Sequence, residues 1–184
     1  MSNIFHWDEL DIIRKDAEIL FKGKEKPSKK DVDTFCDYLD FVLCMVYAYG
    51  WKDAEEIIGI VPVADGLDDK AVNLEIDGKT FRDRITPDNT YEEVLRVIDT
   101  ESHRDYNTGV YDAAKESGKG NLRKKWVTMN DDRVRDTHDY LEGLEVGMDD
   151  LFYTYTGASA LYPGGFGSPE EDCNCRCAIT IVVA

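Results

Sequence analysis

Four side chains near the end of the chain could do the chemistry of this sequence. Cys173, Cys175 and Cys177 fall in "DCNCRC", and His138 falls in "RVRDTHDYLEG". In an extended strand, residues two apart share a face, so the three thiols would project together. Thiolates gathered beside an imidazole are a ligand set for zinc, whose structural sites use four N or S donors. The spacing is not the paired CxxC of familiar zinc knuckles. Three cysteines packed as small residues beneath a helix would carry the same pattern. His138 shares a helical face with Val134 and Leu141, which also suits a hydrogen-bonded core histidine. As a general base it would need a nucleophile or a substrate pocket, and no pattern in the chain supplies either.

A second constellation lies upstream, where Glu101, Arg104 and Asn107 recur at three-residue steps. Buried, such a trio would have to satisfy its own hydrogen bonds; a solvated helix face is the ordinary reading of three polar residues. Arg133 and Arg135 precede His138, and Arg135 stands one turn from Asp131, a pairing worth little on a surface.

The elements that must position these groups follow from periodicity. Apolar residues Trp7, Leu10, Ile13, Ala17 and Leu20 give a first helix over Trp7–Phe21. Ser28 can cap a second helix, with Val32, Phe35, Leu39, Val42 and Val46 on one face, ending near Gly50. Cys36 and Cys44 read as small buried hydrophobes within it. "WKDAEEIIG" forms a short third helix, and Asp77-Gly78 suggests either a hairpin turn or a loop between helices. Thr90 and Glu93 make a capping box for a long helix from Tyr91 to Ser117, stopped at Gly118. "RKKWVTM" alternates as a strand, a helix spans Asp131 to Glu142, "DLFYTYTG" holds a short strand, and "YPGGFGSPEED" is loop. "CNCRCAITIVVA" is the last strand. The fold class is therefore α+β, with a helical N-terminal region (1–76) and a domain (77–184) containing a long helix, a short helix and a small antiparallel sheet.

Composition narrows the function. The 184 residues are 42% hydrophobic and 33% charged, enough for a real core. With 38 acidic against 22 basic residues the net charge is −16, which opposes tight contact with DNA phosphates. The basic clusters at Lys22 to Lys30 and in "LRKKW" read as solvated surface. The opening "MSNIFHWDEL" lacks the basic and apolar regions of a signal peptide, and "FVLCMVYAYGW" is too short to span a bilayer. Both point to cytoplasmic synthesis, where thiols stay reduced.

Taken in order, the motifs resemble one family. "DTESHRDYNTGVYDAA", "KKWVTMNDDRVRDTHDYLEG", "YPGGFGSPEED" and "CNCRC" are similar to the C-terminal domain of the phage Mu F-like minor head proteins, the phage head-morphogenesis family. Thr100, Glu101, Arg104 and Asn107 match its first block. Lys124, Trp126, Arg133, Arg135, Asp136, Thr137, His138, Leu141 and Gly143 match the second. Pro163, Gly164, Asn174, Cys175, Arg176 and Cys177 match the last, and "DGKTFRDRI" extends the likeness upstream. Glu142 departs from the usual Asp before Gly143, and no toxin-like extension follows the final strand, as it does in some relatives. The resemblance implies a non-enzymatic minor capsid protein of a tailed phage or prophage. Its site would be the virion head near the portal, after assembly in the host cytoplasm. Its partners would be the portal protein or the major capsid protein, with only weak or indirect DNA contact and no membrane. It also implies metal, structural Zn2+, at His138, Cys175 and Cys177, with Cys173 as a spare or fourth ligand. A metal-dependent hydrolase and a toxin-delivery or docking module are the competing classes. A helix stripe of Trp7, Leu10, Ile13 and Leu20 could dock into a partner's groove or fold back on the second helix.

Overall fold

A computed structural model describes residues 8–61, 75–76 and 78–184. Trp7 and Asp77 lie outside these residues, as does most of the stretch before the boundary expected at 76/77. Among the described residues the architecture is α+β, with a helical N-terminal half and small antiparallel sheets.

Helix α1 (Asp8–Phe21) presents Leu10, Ile13 and Ala17 inward, all with no exposed surface. Of the docking stripe expected there, Leu10 and Ile13 are therefore already covered and Leu20 half-buried, with α1 packed against α2 (Lys29–Ile58) and α4 (Tyr91–Glu116). Full burial of each large aliphatic side chain stabilises by about 2 kcal/mol, so Leu10 and Ile13 belong to the core. Ser28 caps α2 as expected, its Oγ accepting from Asp31 N while Asp31 Oδ2 accepts from Ser28 N.

The helix does not stop at Gly50, however. It runs unbroken through the segment expected as a separate third helix, because Gly50 is a crossing point against α4 rather than a breaker. Lone glycines inside helices cost about 1 kcal/mol against alanine, and close packing offsets that cost here.

Between the two long helices, Ile76 and Lys79 pair across a tight bridge around Gly78, whose φ is +70°. A one-turn helix, α3 (Phe81–Arg84), follows, with Thr80 and Asp83 forming a capping box. The Thr90/Glu93 capping box opens α4, and Gly118, at φ +63°, follows its end.

Strand β1 (Leu122–Val127) lies between β2 (Glu145–Gly147) and β5 (Ala178–Val183), antiparallel to both. Leu122, Lys124 and Trp126 face inward, opposite Val183, Ile181 and Ile179. Lys124 is thus buried, contrary to the solvated patch expected of "LRKKW". Its Nζ donates to Met148 O at 2.8 Å and lies over the rings of Tyr111 and Phe152. A two-stranded ribbon, β3 (Phe152–Tyr153) with β4 (Ser159–Ala160), completes the sheets.

Three further expectations fail locally. The helix from Asp131 to Glu142 shrinks to one turn, α5 (Asp136–Asp139). Asn130 turns the chain at φ +51°, and Asp131 pairs with Arg176 rather than Arg135. The loop before the cysteines contains another short turn, α6 (Pro169–Asp172). One hydrophobic core runs from Leu10 to Ile181 and joins both halves.

Candidate metal centre

Residues 173–177 are not in the strand, which begins at Ala178. Asn174 adopts φ +56° and breaks the alternation that would align all three thiols. Cys175 and Cys177 nonetheless reach the same point. Each Sγ lies 3.5 Å from His138 Nδ1, and the three ligand atoms fall within 4.8 Å of one another. Cys173 is not brought into that group. All three clustered residues are buried.

The clustering has named causes. Asn107, fully buried on α4, donates to Cys177 O at 3.3 Å and accepts from Ile179 N at 2.8 Å. Its amide thus acts as a neighbouring strand would and fixes the chain as it enters β5. Arg135 reaches from the start of α5 to the carbonyls of Glu171 and, at 2.5 Å, Cys173. Asp172 accepts from the backbone N–H groups of Phe166, Gly167 and Ser168 at 3.1, 2.8 and 3.2 Å. That cradle curls the glycine-rich loop so that Phe166 stacks on the His138 ring, centroids 5.5 Å apart. Trp126 meets the same imidazole edge-on at 5.4 Å. Burial raises the Asp172 pKa, although the three N–H donors oppose it.

Glu101 and Arg104 are buried, not solvated as three polar residues on a helix ordinarily would be. Glu101 accepts from Arg84 and Arg104 together, tying α3 to α4. Gly164 passes directly over Arg104, where a Cβ would lie 3.0 Å from the arginine Cα. The polar trio therefore supports the loop and strand that carry the site. Arg133 is exposed beside it.

The donor set fits zinc. Ordinary Zn–S and Zn–N bonds at tetrahedral angles hold N and S ligands about 3.5 Å apart, the separation seen at His138 Nδ1. His138 Nε2 lies 3.0 Å from Glu171 Oε2, off the line of a hydrogen bond, while Thr137 Oγ1 donates to that same oxygen at 3.0 Å. A metal-bound histidine ordinarily donates its distal N–H to a carboxylate, and Glu171 stands at that distance although the two make no hydrogen bond here. A hydrogen bond between the two cysteine side chains raises the Cys175 pKa well above the usual thiol value, and burial adds to it. The same bond lowers that of Cys177.

The opening onto this cluster is a cleft of about 10 Å³ lined by Arg133, Arg135, Asn174 and Arg176. Roughly that volume admits one water and no substrate. Glu171, Asp172 and Phe166 were missed by sequence reasoning because "YPGGFGSPEED" signals loop. Only the proline opening a run of acids, as in the first turn of a helix, could have suggested α6.

The family model described as "Phage Mu protein F like protein" matches residues 69–180, more than half of the chain. Two curated relatives are similar over shorter stretches. One is "NAD(+)--arginine ADP-ribosyltransferase EFV" of Enterococcus faecalis, 41% identical over 97 residues, covering 51% of this chain and 20% of that protein. Another is "Minor head protein GP7" of Bacillus phage SPP1, 35% identical over 85 residues, covering 46% and 28%. The chain thus matches well under a third of each relative's own length. No solved structure matches.

Proposed function

The chain belongs to the Phage Mu protein F like family, and on that premise we propose that it is a minor head protein, a structural component of a phage or prophage capsid. The relative named as a minor head protein supports this directly. The observation that carries the reading within the molecule is the enclosure of His138. Two thiols, Trp126 and Phe166 surround the imidazole, and a one-atom cleft leaves no place for a substrate. Its motif residues hold a fold together; they do not line a reaction centre.

In finer terms, the protein enters the head during assembly, beside the portal, and influences packaging or ejection of the genome. His138, Cys175 and Cys177 hold a zinc ion that pins the start of β5 to α5. When bound, zinc supplies rigid N/S cross-linking of segments that are otherwise joined by short contacts. Among the described residues no helix is long and apolar enough to cross a membrane. A net charge of −16 makes a protein partner a better fit than DNA.

The similarity to an ADP-ribosyltransferase favours a second reading, in which the shared part is a docking or delivery module. Co-expression with the portal and major capsid proteins of its own phage separates the two. Retention of either by the full-length chain supports the head protein, and association with neither counts against it.

A further inference from the structure

Asp105 of α4 has no exposed surface, and neither of its carboxyl oxygens accepts a hydrogen bond. A charged carboxylate held that way is among the costliest groups a fold can bury.

The cations around it are already engaged. Arg104 has its Nε 3.8 Å from Asp105 Oδ1, yet its guanidinium donates to Glu101. Arg84 of α3 donates to the same Glu101, and Arg82 donates to Asp37 and Asp40 of α2. Three guanidiniums thus meet three carboxylates before Asp105 is counted. From the loop before β5, Asp172 shares the field of Arg104, and the Tyr162 side chain feels both Arg104 and Asp105. A negative Asp105 would be an excess charge in a place closed to solvent. Burial accordingly pushes its carboxyl well above the usual carboxylate range; Glu101 and Asp40 add to the rise, and Arg104 and Arg84 oppose it.

We propose that Asp105 is a proton latch in the helix core, a neutral acid that keeps its proton at neutral pH while the chain is folded. Kept neutral, it leaves Arg104 with Glu101, beneath Gly164. Ionised, it competes with Glu101 for Arg104, and the support under the loop that sets Phe166 against His138 loosens. The unfolded chain, with an ordinary aspartate, has lost this proton above about pH 4. The folded state then binds one proton more, so the contribution of Asp105 to stability is full below that value and is lost as pH rises. Such a latch depends neither on the head-protein reading nor on a bound metal.

Asp105→Asn tests it, because the amide has the shape of the neutral acid and cannot ionise. Urea unfolding of the full chain and of this variant, compared at equal pH, cancels the titration of the other groups. The ratio of unfolding constants should move in the variant's favour by about tenfold per pH unit from about pH 5 to 7, the slope of one proton. Infrared difference spectra at neutral pH should show a carboxylic-acid C=O band that is lost in Asp105→Asn and kept in Asp172→Asn. A ratio that stays flat with pH overturns the proposal, and so does the absence of an acid band that depends on Asp105. Failure of both Asp105→Asn and Asp105→Leu to fold overturns it too, because the negative charge would then be what the core requires.

Discussion

Gly50 of α2 and Gly109 of α4 each lie against the backbone of the other's helix where the two long helices cross. A Cβ on Gly50 would lie 2.0 Å from Tyr106 O, and one on Gly109 would lie 2.1 Å from Tyr47 O. Both obstacles are backbone, which cannot rotate aside. Ala at either position should therefore destabilise by about 3 kcal/mol through overpacking, despite alanine's better helix propensity. Urea unfolding of Gly109→Ala checks this; a neutral or stabilising change would mean that the helices do not cross at this distance.

This pair also marks where the sequence could mislead. Glycine is a helix stop by local propensity, and only the partner helix shows that Gly50 is there for closeness. Helix caps were legible because they are local: the Ser28 cap and the Thr90/Glu93 box each close within four residues, although Asp31 as the partner of Ser28 was not foreseen. The alternation of β1 was legible too, although not the burial of Lys124. The helix over 131–142 was not, because its acids and arginines bond to distant groups, Asp131 to Arg176 and Arg135 to the carbonyls of 171 and 173. His138, Cys175 and Cys177 were named from sequence, but the expected strand alignment of the thiols is not what assembles them. A turn at Asn174 and the grip of Asn107 do.

Asn107→Leu should be among the costlier substitutions of α4. It leaves Ile179 N without the acceptor it has at 2.8 Å, in a position with no access to water. An unsatisfied buried group costs about 1–3 kcal/mol, and the Cys177 carbonyl loses its donor as well. Thermal melts should show a loss of that order, and amide exchange at Ile179 should accelerate sharply. Unchanged protection at Ile179 would remove Asn107 from its strand-like role.

Burial lowers the Lys124 pKa to about 8 from an ordinary 10.5. Above about pH 8 the folded state has begun to release a proton that the unfolded chain still holds. The unfolded state then binds more protons, so the Lys124 contribution raises stability as pH climbs from 8 towards 10.5. Below pH 8 both states are protonated and the cost of burying the charge is constant. The stability difference between wild type and Lys124→Met, measured by denaturant from pH 7 to 10, should shift in favour of the wild type over that window. A difference independent of pH would show that Lys124 titrates normally.

Removing metal should soften the C-terminal half. Chelator treatment, or Cys175→Ser, should lower the melting temperature of zinc-loaded protein, since metal binding couples to folding. Glu171→Gln should weaken zinc affinity by about 10–100-fold while keeping the fold, as expected for the carboxylate behind a ligating histidine. Equal affinity in Glu171→Gln would place that carboxylate outside the metal's support.

The most direct test of the minor head assignment is mass spectrometry of purified heads from the phage that encodes this chain, beside heads from a mutant lacking it. The account predicts peptides of this protein in the wild-type particles at a small, fixed ratio to the major capsid protein, and none in the mutant. Wild-type heads free of the protein, with the whole of it left in the soluble fraction of the lysate, would contradict it.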